Sequence, residues 1–251
     1  MKPVEVDFVS YEDSIPRALD AIGAREVVAD REAIMIKPNL ITDTPFPVTT
    51  PPACCEAIVR YIRECSSARV IIAEGCGEPS LTTDQAFDRL GYRELSRRLD
   101  VPLVDLNNEE TVELKDERCR FFTTFHMPRI VMEHYLVSVP VLKAHSLAEI
   151  TGSTKNMIGV APPRHYGRGG HWLKAAFHEQ MQRSIVELNY YRTPDLTLMD
   201  ASVGLREFHL GGARCEPPAG KLLAGYDARE VDRIAAGLLG MKWESIGHLK
   251  D

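Results

Sequence analysis

Short apolar runs with the two-residue period of strands alternate along the chain with longer segments of helical period, the arrangement of helices packed on a largely parallel sheet. Strand character appears at Val4–Val9, Ala33–Ile41, Arg69–Ala73, Pro102–Leu106, Tyr135–Leu142, Leu196–Asp200 and Lys221–Ala224. The pattern between most of them predicts helices over Ile15–Ile22, Pro52–Cys65, Thr83–Leu90, Trp172–Tyr191 and Arg229–Met241. In the longest of these, Phe177, Met181, Ile185 and Leu188 make one apolar stripe, the signature of core packing. Residues Glu109–Pro128 are less regular and read as a hairpin, the candidate for an excursion between lobes. No repeat or low-complexity tract interrupts the pattern. The expectation is one α/β domain over residues 1–251, with a mostly parallel or mixed sheet and helices on both faces; two lobes around a cleft are left open.

Composition narrows the function classes. At 44% apolar and 26% charged residues, the 251-residue chain is globular, with ample core. Thirty basic residues against 36 acidic ones give a net charge of −6, and no basic cluster interleaved with aromatics stands out, so nucleic acid is not an expected partner. The most apolar run, Tyr135–Leu142, is far short of the roughly 18 residues a spanning helix needs, so no membrane partner is expected. The opening residues alternate polar and apolar, unlike the apolar core of a signal peptide. Six cysteines without a C-x-x-C pair read as reduced thiols, which points to a cytoplasmic location and away from a cysteine-ligated zinc or iron–sulfur centre.

Three places break the ordinary pattern, each where a strand runs out into a loop, the position at which α/β sheets hold ligands. The first is Ile34-Met-Ile-Lys-Pro-Asn-Leu40, where a fully apolar strand delivers Lys37 and Asn39 to the sheet's edge. A snorkelling lysine on a proline-terminated strand is the alternative. In the second, Lys143 and His145 lie two apart and so share one side of an extended chain. Thr151-Gly-Ser-Thr then supplies helix-capping residue types, and a short helix is expected from near Ser153. Lys155 would stand in its first turn against the helix dipole, which suggests that an anion is held there by Lys155, Thr151, Gly152 and Asn156. The P-loop spacing is absent, and a solvated surface turn is the alternative.

The third place is Pro162-Pro-Arg-His-Tyr-Gly-Arg-Gly-Gly-His171, whose prolines and glycines describe a shaped or mobile lid. His171 and His178 are seven apart, about 10 Å along a helix, too far to ligate one metal. A metal would need His145, His165 and His171 from separate segments, and the metal assignment stays open. His126, His134, His209 and His248 read as ordinary surface or core residues. Among the acids, Glu74 and Asp105 follow or end strands, Asp227 reads as a helix N-cap, and Asp200 at a strand end is the one expected beside Lys155.

From Lys37-Pro-Asn-Leu40 and Thr50-Pro-Pro52, through Glu74-Gly75, Phe87-Asp-Arg-Leu-Gly-Tyr92 and Val104-Asp-Leu-Asn107, the chain resembles the domain of unknown function 362 family. Val139-Pro-Val-Leu-Lys-Ala-His145 and Thr151-Gly-Ser-Thr-Lys-Asn-Met-Ile-Gly159 are the most specific part; Asp200, Gly204 and Ala224-Gly-Tyr-Asp-Ala-Arg-Glu-Val-Asp232 complete it. Some members of that family carry a four-iron ferredoxin module, whose cysteine run this sequence lacks. The His145, Thr151-Gly152, Lys155 and His171 layout is also similar, over this segment alone, to the nickel-pincer lactate racemase family. That similarity implies an acid–base site whose histidines and lysine hold a phosphorylated, nucleotide-like or carboxylate ligand.

The expected function is an enzyme acting by acid–base chemistry on a small anionic or phosphorylated metabolite or cofactor precursor, with no particular cofactor assigned. Lys155 and the helix start hold the anion, Lys37 and Asn39 orient it beside Lys143, and His145 or His171 moves the proton. The alternative is a carrier that binds a metal or anionic cofactor without chemistry. A homo-oligomer is left open.

Overall fold

Residues 33–38 form a strand buried on both faces, as so apolar a run requires. Its alternation sends Ile34 and Ile36 to one core and Met35 to the other. The computed structural model describes residues 2–250. In chain order the first half comprises β1 (Val4–Asp7), α1 (Tyr11–Ala21), α2 (Ala24–Ala29), β2 (Ala33–Pro38), α3 (Pro52–Cys65), β3 (Arg69–Glu74), α4 (Thr83–Arg89), α5 (Tyr92–Leu99) and β4 (Leu103–Asp105). The hairpin β5 (Thr111–Lys115) and β6 (Thr124–Pro128) and the short α6 (Arg129–Glu133) follow. Then come β7 (Tyr135–Val139), β8 (Val141–His145), β9 (Glu149–Thr151), α7 (Ser153–Asn156), α8 (Pro163–Tyr166), α9 (Met181–Tyr191), β10 (Leu196–Leu205), β11 (Lys221–Gly225) and α10 (Ala228–Leu238).

The main sheet runs β1-β11-β10-β7-β2-β3-β4, with β8 and β9 extending from β10. Its centre, β10-β7-β2-β3-β4, is parallel, while β11 and β1 add an antiparallel edge, so the sheet is mixed. Helices α1, α2, α3 and α5 cover the face reached by Ile34, Ile36, Val137 and Leu198. The opposite face is covered by the β5-β6 hairpin and α9 around Met35, Phe125 and Phe177, and by α10 around Met199 and Leu223. From β2 the chain steps outward through β3 to β4, then returns to lay β7 on β2's other side. This reversal opens a crevice at the C-terminal ends of β2 and β7, the place where such sheets accept ligands.

Two predicted elements are divided. The strand expected over Tyr135–Leu142 breaks at Pro140, which has no N–H for a ladder. Strand β10 pairs first with β7 and then, in the same register, with β8; the register shifts between Asp200 and Leu205, along the course of β8 that carries Lys143 and His145 into the crevice. The helix expected over Trp172–Tyr191 becomes a 3-10 turn, Ala175–His178, followed by α9. There Leu173 donates to Gly77 O at 3.1 Å, and the Lys174 amine donates to Gly75 O and Gly159 O at 2.8 and 2.6 Å. These tethers tie the segment to the end of β3 rather than to a helical axis.

Helix α7 is only four residues long and needs its neighbours. Asp232 of α10 accepts from Ser153 N, Thr154 N and Thr154 Oγ1 at 2.6, 2.9 and 2.6 Å. Ser153 Oγ also bonds Thr197 of β10 at 2.6 Å, and Asn189 of α9 donates to Thr154 O at 3.0 Å. Gly152 is required by close approach, because a Cβ there would strike the Asp232 carboxylate. Replacing Asp232 with alanine strands three buried donors, so urea unfolding is expected to report a loss of about 2–4 kcal/mol. A loss under about 0.5 kcal/mol would show that α7 is held by its other contacts.

Candidate functional site

The crevice is a cleft of about 240 Å³ lined by Asn39, Lys143, His145, Thr151, Lys155, Asn156 and Lys174 among others. That is below the roughly 300–1,000 Å³ of sites for drug-sized ligands. Beneath it lies a buried ion pair. Lys37 Nζ stands 2.9 Å from both carboxylate oxygens of Glu74, and 3.2 Å from Asn156 Oδ1. Glu74 also accepts from Leu40 N at 3.2 Å and Gly75 N at 2.8 Å. Asn156 returns its amide to Lys37 O and Ser138 Oγ at 3.2 and 3.1 Å. Burial pushes the Lys37 amine below its ordinary value, and Glu74 opposes that push. A Cβ on Gly159 would collide with both partners, so the turn after α7 needs that glycine.

Lys143 and His145 leave β8 on one side, as their spacing requires. The Lys143 amine donates to Asn39 Oδ1 at 2.7 Å and to Val48 O at 2.6 Å. Burial and the nearby Lys155 hold it well below the usual lysine range. His145 Nδ1 accepts from Leu147 N and Ala148 N at 3.0 and 3.1 Å, which excludes a proton from that nitrogen and leaves it on Nε2. Burial, with Lys155 next, keeps the ring neutral. His209 stacks on it with centroids 3.9 Å apart and is pushed to about 3, first by burial and then by Lys155. Lys155 itself is half-buried, makes no hydrogen bond or ion pair among the described residues, and is lowered to about 8 by burial and by Lys37. Lys174 is lowered to about 7, with burial the main cause.

Several expected assignments change. The start of α7 does not offer its N–H groups to a ligand, because Ser153 and Thr154 already donate to Asp232. Gly152 faces that same carboxylate. Lys155 is in the last turn of a four-residue helix, so its charge does not oppose a macrodipole there. Lys37 is the cleft's support, being fully buried on Glu74 rather than lining the space. Asp200 lies on the other face: β10 continues to Leu205, and parity groups Asp200 with Leu196 and Leu198 toward α1. It accepts from Tyr11 Oη at 2.6 Å and from Ser202 N and Oγ at 2.9 and 2.7 Å. His171 is exposed against Trp172 and outside the cleft, whereas His178 and His209 line it. His165 stacks on His126 at 3.9 Å, and neither lines the cleft. Among the described residues, no three His, Cys, Asp or Glu side chains converge as a metal-holding group.

Lys174 had a signal in the sequence, a lone charge in the apolar run Trp172-Leu-Lys-Ala-Ala-Phe177, of the kind that marks Lys37. His209 had none, since it lies in the irregular excursion between β10 and β11.

A family model described as Domain of unknown function (DUF362) matches residues 34–237. The chain belongs to the DUF362 family. The match runs from β2 into α10, so every lining residue named above falls within the DUF362 region. No curated protein matches the chain. All six cysteines of this DUF362 protein are free thiols, and no helix among the described residues is long and apolar enough to cross a membrane.

Glu74→Gln removes the charge opposing Lys37 while both positions stay buried. The variant is expected to lose about 3–5 kcal/mol in denaturant unfolding. Adding Lys37→Met should recover a large part of that loss, because it also removes the stranded cation; a double variant weaker than Glu74→Gln alone would contradict the ion-pair account.

Proposed function

We propose that the protein binds a small anionic or phosphorylated metabolite, or a cofactor precursor, in this cleft and acts on it by acid–base chemistry. The carrying observation is the charge balance of the cleft. Lys37, Lys143, Lys155 and Lys174 gather at one crevice whose lining holds a single carboxylate, Glu74, and Lys37 occupies it. Burial then disfavours the remaining ammonium groups, and an anion among them would offset that cost.

The roles follow from protonation. His145 is an N–H donor from Nε2, suited to orienting an anionic oxygen, and Lys143 and Asn39 support it from one side. Lys155, lowered to about 8, and Lys174, lowered to about 7, can both exchange a proton near neutrality, and of the two only the Lys155 amine is free of hydrogen bonds among the described residues. A second reading, a carrier that hands an anionic cofactor on unchanged, draws on the fact that His145 is fixed as a donor and cannot serve as a base. Free thiols fit a cytoplasmic setting, which belongs to the proposal. Mass spectrometry of the molecule retained by the native protein separates the two: chemical change on incubation supports the enzyme, and its release unchanged supports the carrier.

Sulfate tests the anion site because its charge is constant above pH 3. At a hundredfold excess over Kd it should add about 2.7 kcal/mol of stability. Lys155→Met should abolish that gain while leaving the unliganded fold as stable or slightly firmer. Unchanged sulfate stabilisation in the variant, or an apo loss above about 1 kcal/mol, would make Lys155 structural.

The sign of the pH effect is also set. Lys155 and Lys174 lose their charge as pH rises through about 8 and about 7, so sulfate affinity should fall steadily between those values and beyond. Calorimetric titrations at constant ionic strength that gave a flat profile from pH 6.5 to 9 would remove both amines from the binding event.

A further inference from the structure

Two of the four exposed large hydrophobic side chains among the described residues stand on the rim of this one cleft: Leu147, 50% exposed, and Phe208, 43% exposed. Isolated apolar side chains on a surface are ordinary. These two arrive from separate segments, Leu147 from the β8-β9 turn and Phe208 from the excursion after β10. Between them lies a stack of rings. Phe208 meets His209 edge-on with centroids 4.7 Å apart, and His209 lies on His145 at 3.9 Å. Both imidazoles are neutral, since burial holds each below its ordinary value. Their faces are therefore flat and weakly polar while their edges carry N–H and N groups. His209 Nδ1 is buried with no partner among the described residues. Ile158, Met181 and Trp172 continue the apolar lining beside the lysines.

An inorganic phosphate would leave the apolar part of this wall without a partner, since a polar group gains nothing against apolar surface. Here amines and aromatic or aliphatic surface share one small space. We propose that the ligand is an aromatic anion, a planar ring bearing a phosphate or carboxylate, whose charged group meets Lys155 and Lys143 while its ring lies against Phe208, Leu147 and the His209–His145 stack. This rests on the anion reading above and adds the class of the body that carries the charge. Ring against ring is favoured over an alkyl chain because the wall is itself a ladder of rings, and offset or edge-on aromatic contacts gain beyond the area they bury.

The test compares phenyl phosphate with methyl phosphate by calorimetry on the full chain at pH 6.5. Both carry the same charged group and differ in the body. Phenyl phosphate is expected to bind at least tenfold more tightly, and in Phe208→Ala the ratio of the two Kd values should shrink to threefold or less. Phe208 is at the surface, so the variant is expected to fold, and the wild-type comparison decides the matter without it. Equal affinities for the two esters would overturn the aromatic assignment while leaving anion binding intact. A tenfold preference that persists in Phe208→Ala would overturn the role of the ring ladder. If neither ester binds, the anion reading itself fails.

Discussion

A lysine and a glutamate that bury their charges against each other govern the arrangement of this molecule's cleft. Lys37 and Glu74 end two adjacent central strands, and each does more than neutralise the other. The carboxylate gathers Leu40 N and Gly75 N, so the loops leaving β2 and β3 start from one fixed point. The amine reaches Asn156 and ties α7 to the same point, which sets where the adjacent Lys155 emerges. Gly159 passes over the pair at a distance only a glycine allows. Such a pair contributes little net stability against a well-packed apolar substitute, but leaving either member alone is costly. Its use here is to hold three chain segments in register beneath a polar cleft.

Above that support the cleft gets its electrostatic character from side chains and not from a helix end. Asp232 takes up the N–H groups that begin α7, so the protein supplies its own anion where a ligand would otherwise bind. What remains for a ligand is a set of amines and imidazoles whose charged forms burial disfavours. The Lys174 clasp and the Lys143 bonds to Asn39 and Val48 show how these amines are kept in place without counter-charges: backbone and amide oxygens accept their hydrogens. The cleft is thus rigidly built and electrostatically incomplete.

The parts of this arrangement legible in the sequence are those that break a local pattern. Lys37 and Lys143 each interrupt an apolar strand, and a lysine there needs a reason beyond packing. The two-residue spacing of Lys143 and His145 was enough to place both on one side. Asp200 departs from its expected place because its strand runs five residues beyond the apolar stretch, to Leu205. At a strand's end an acid is free to turn toward a crevice, whereas in its interior parity decides, and here it points toward Tyr11. Pro140 was visible, but its effect depends on β10 exchanging one partner strand for the next, a long-range event. His209 is a similar case, since only the pairing of distant segments brings its ring onto His145. The helix foreseen through Trp172 yields to the tethering of Leu173 and Lys174, contacts that no helical period announces.

The clasp made by Lys174 has a consequence for the movement of protons. A neutral amine keeps two hydrogens, and two carbonyls, those of Gly75 and Gly159, accept from this one. Loss of its charge near pH 7 therefore leaves the hydrogen bonding satisfied and the walls in place. Lys155, poised about one pH unit higher and without a partner, can change charge as freely. On the anion reading proposed above, a bound anion would favour the protonated form of both, so each amine would draw a proton from solvent. Ligand capture and proton uptake would then be one event, with the Lys174 hydrogen bonds satisfied in either protonation state.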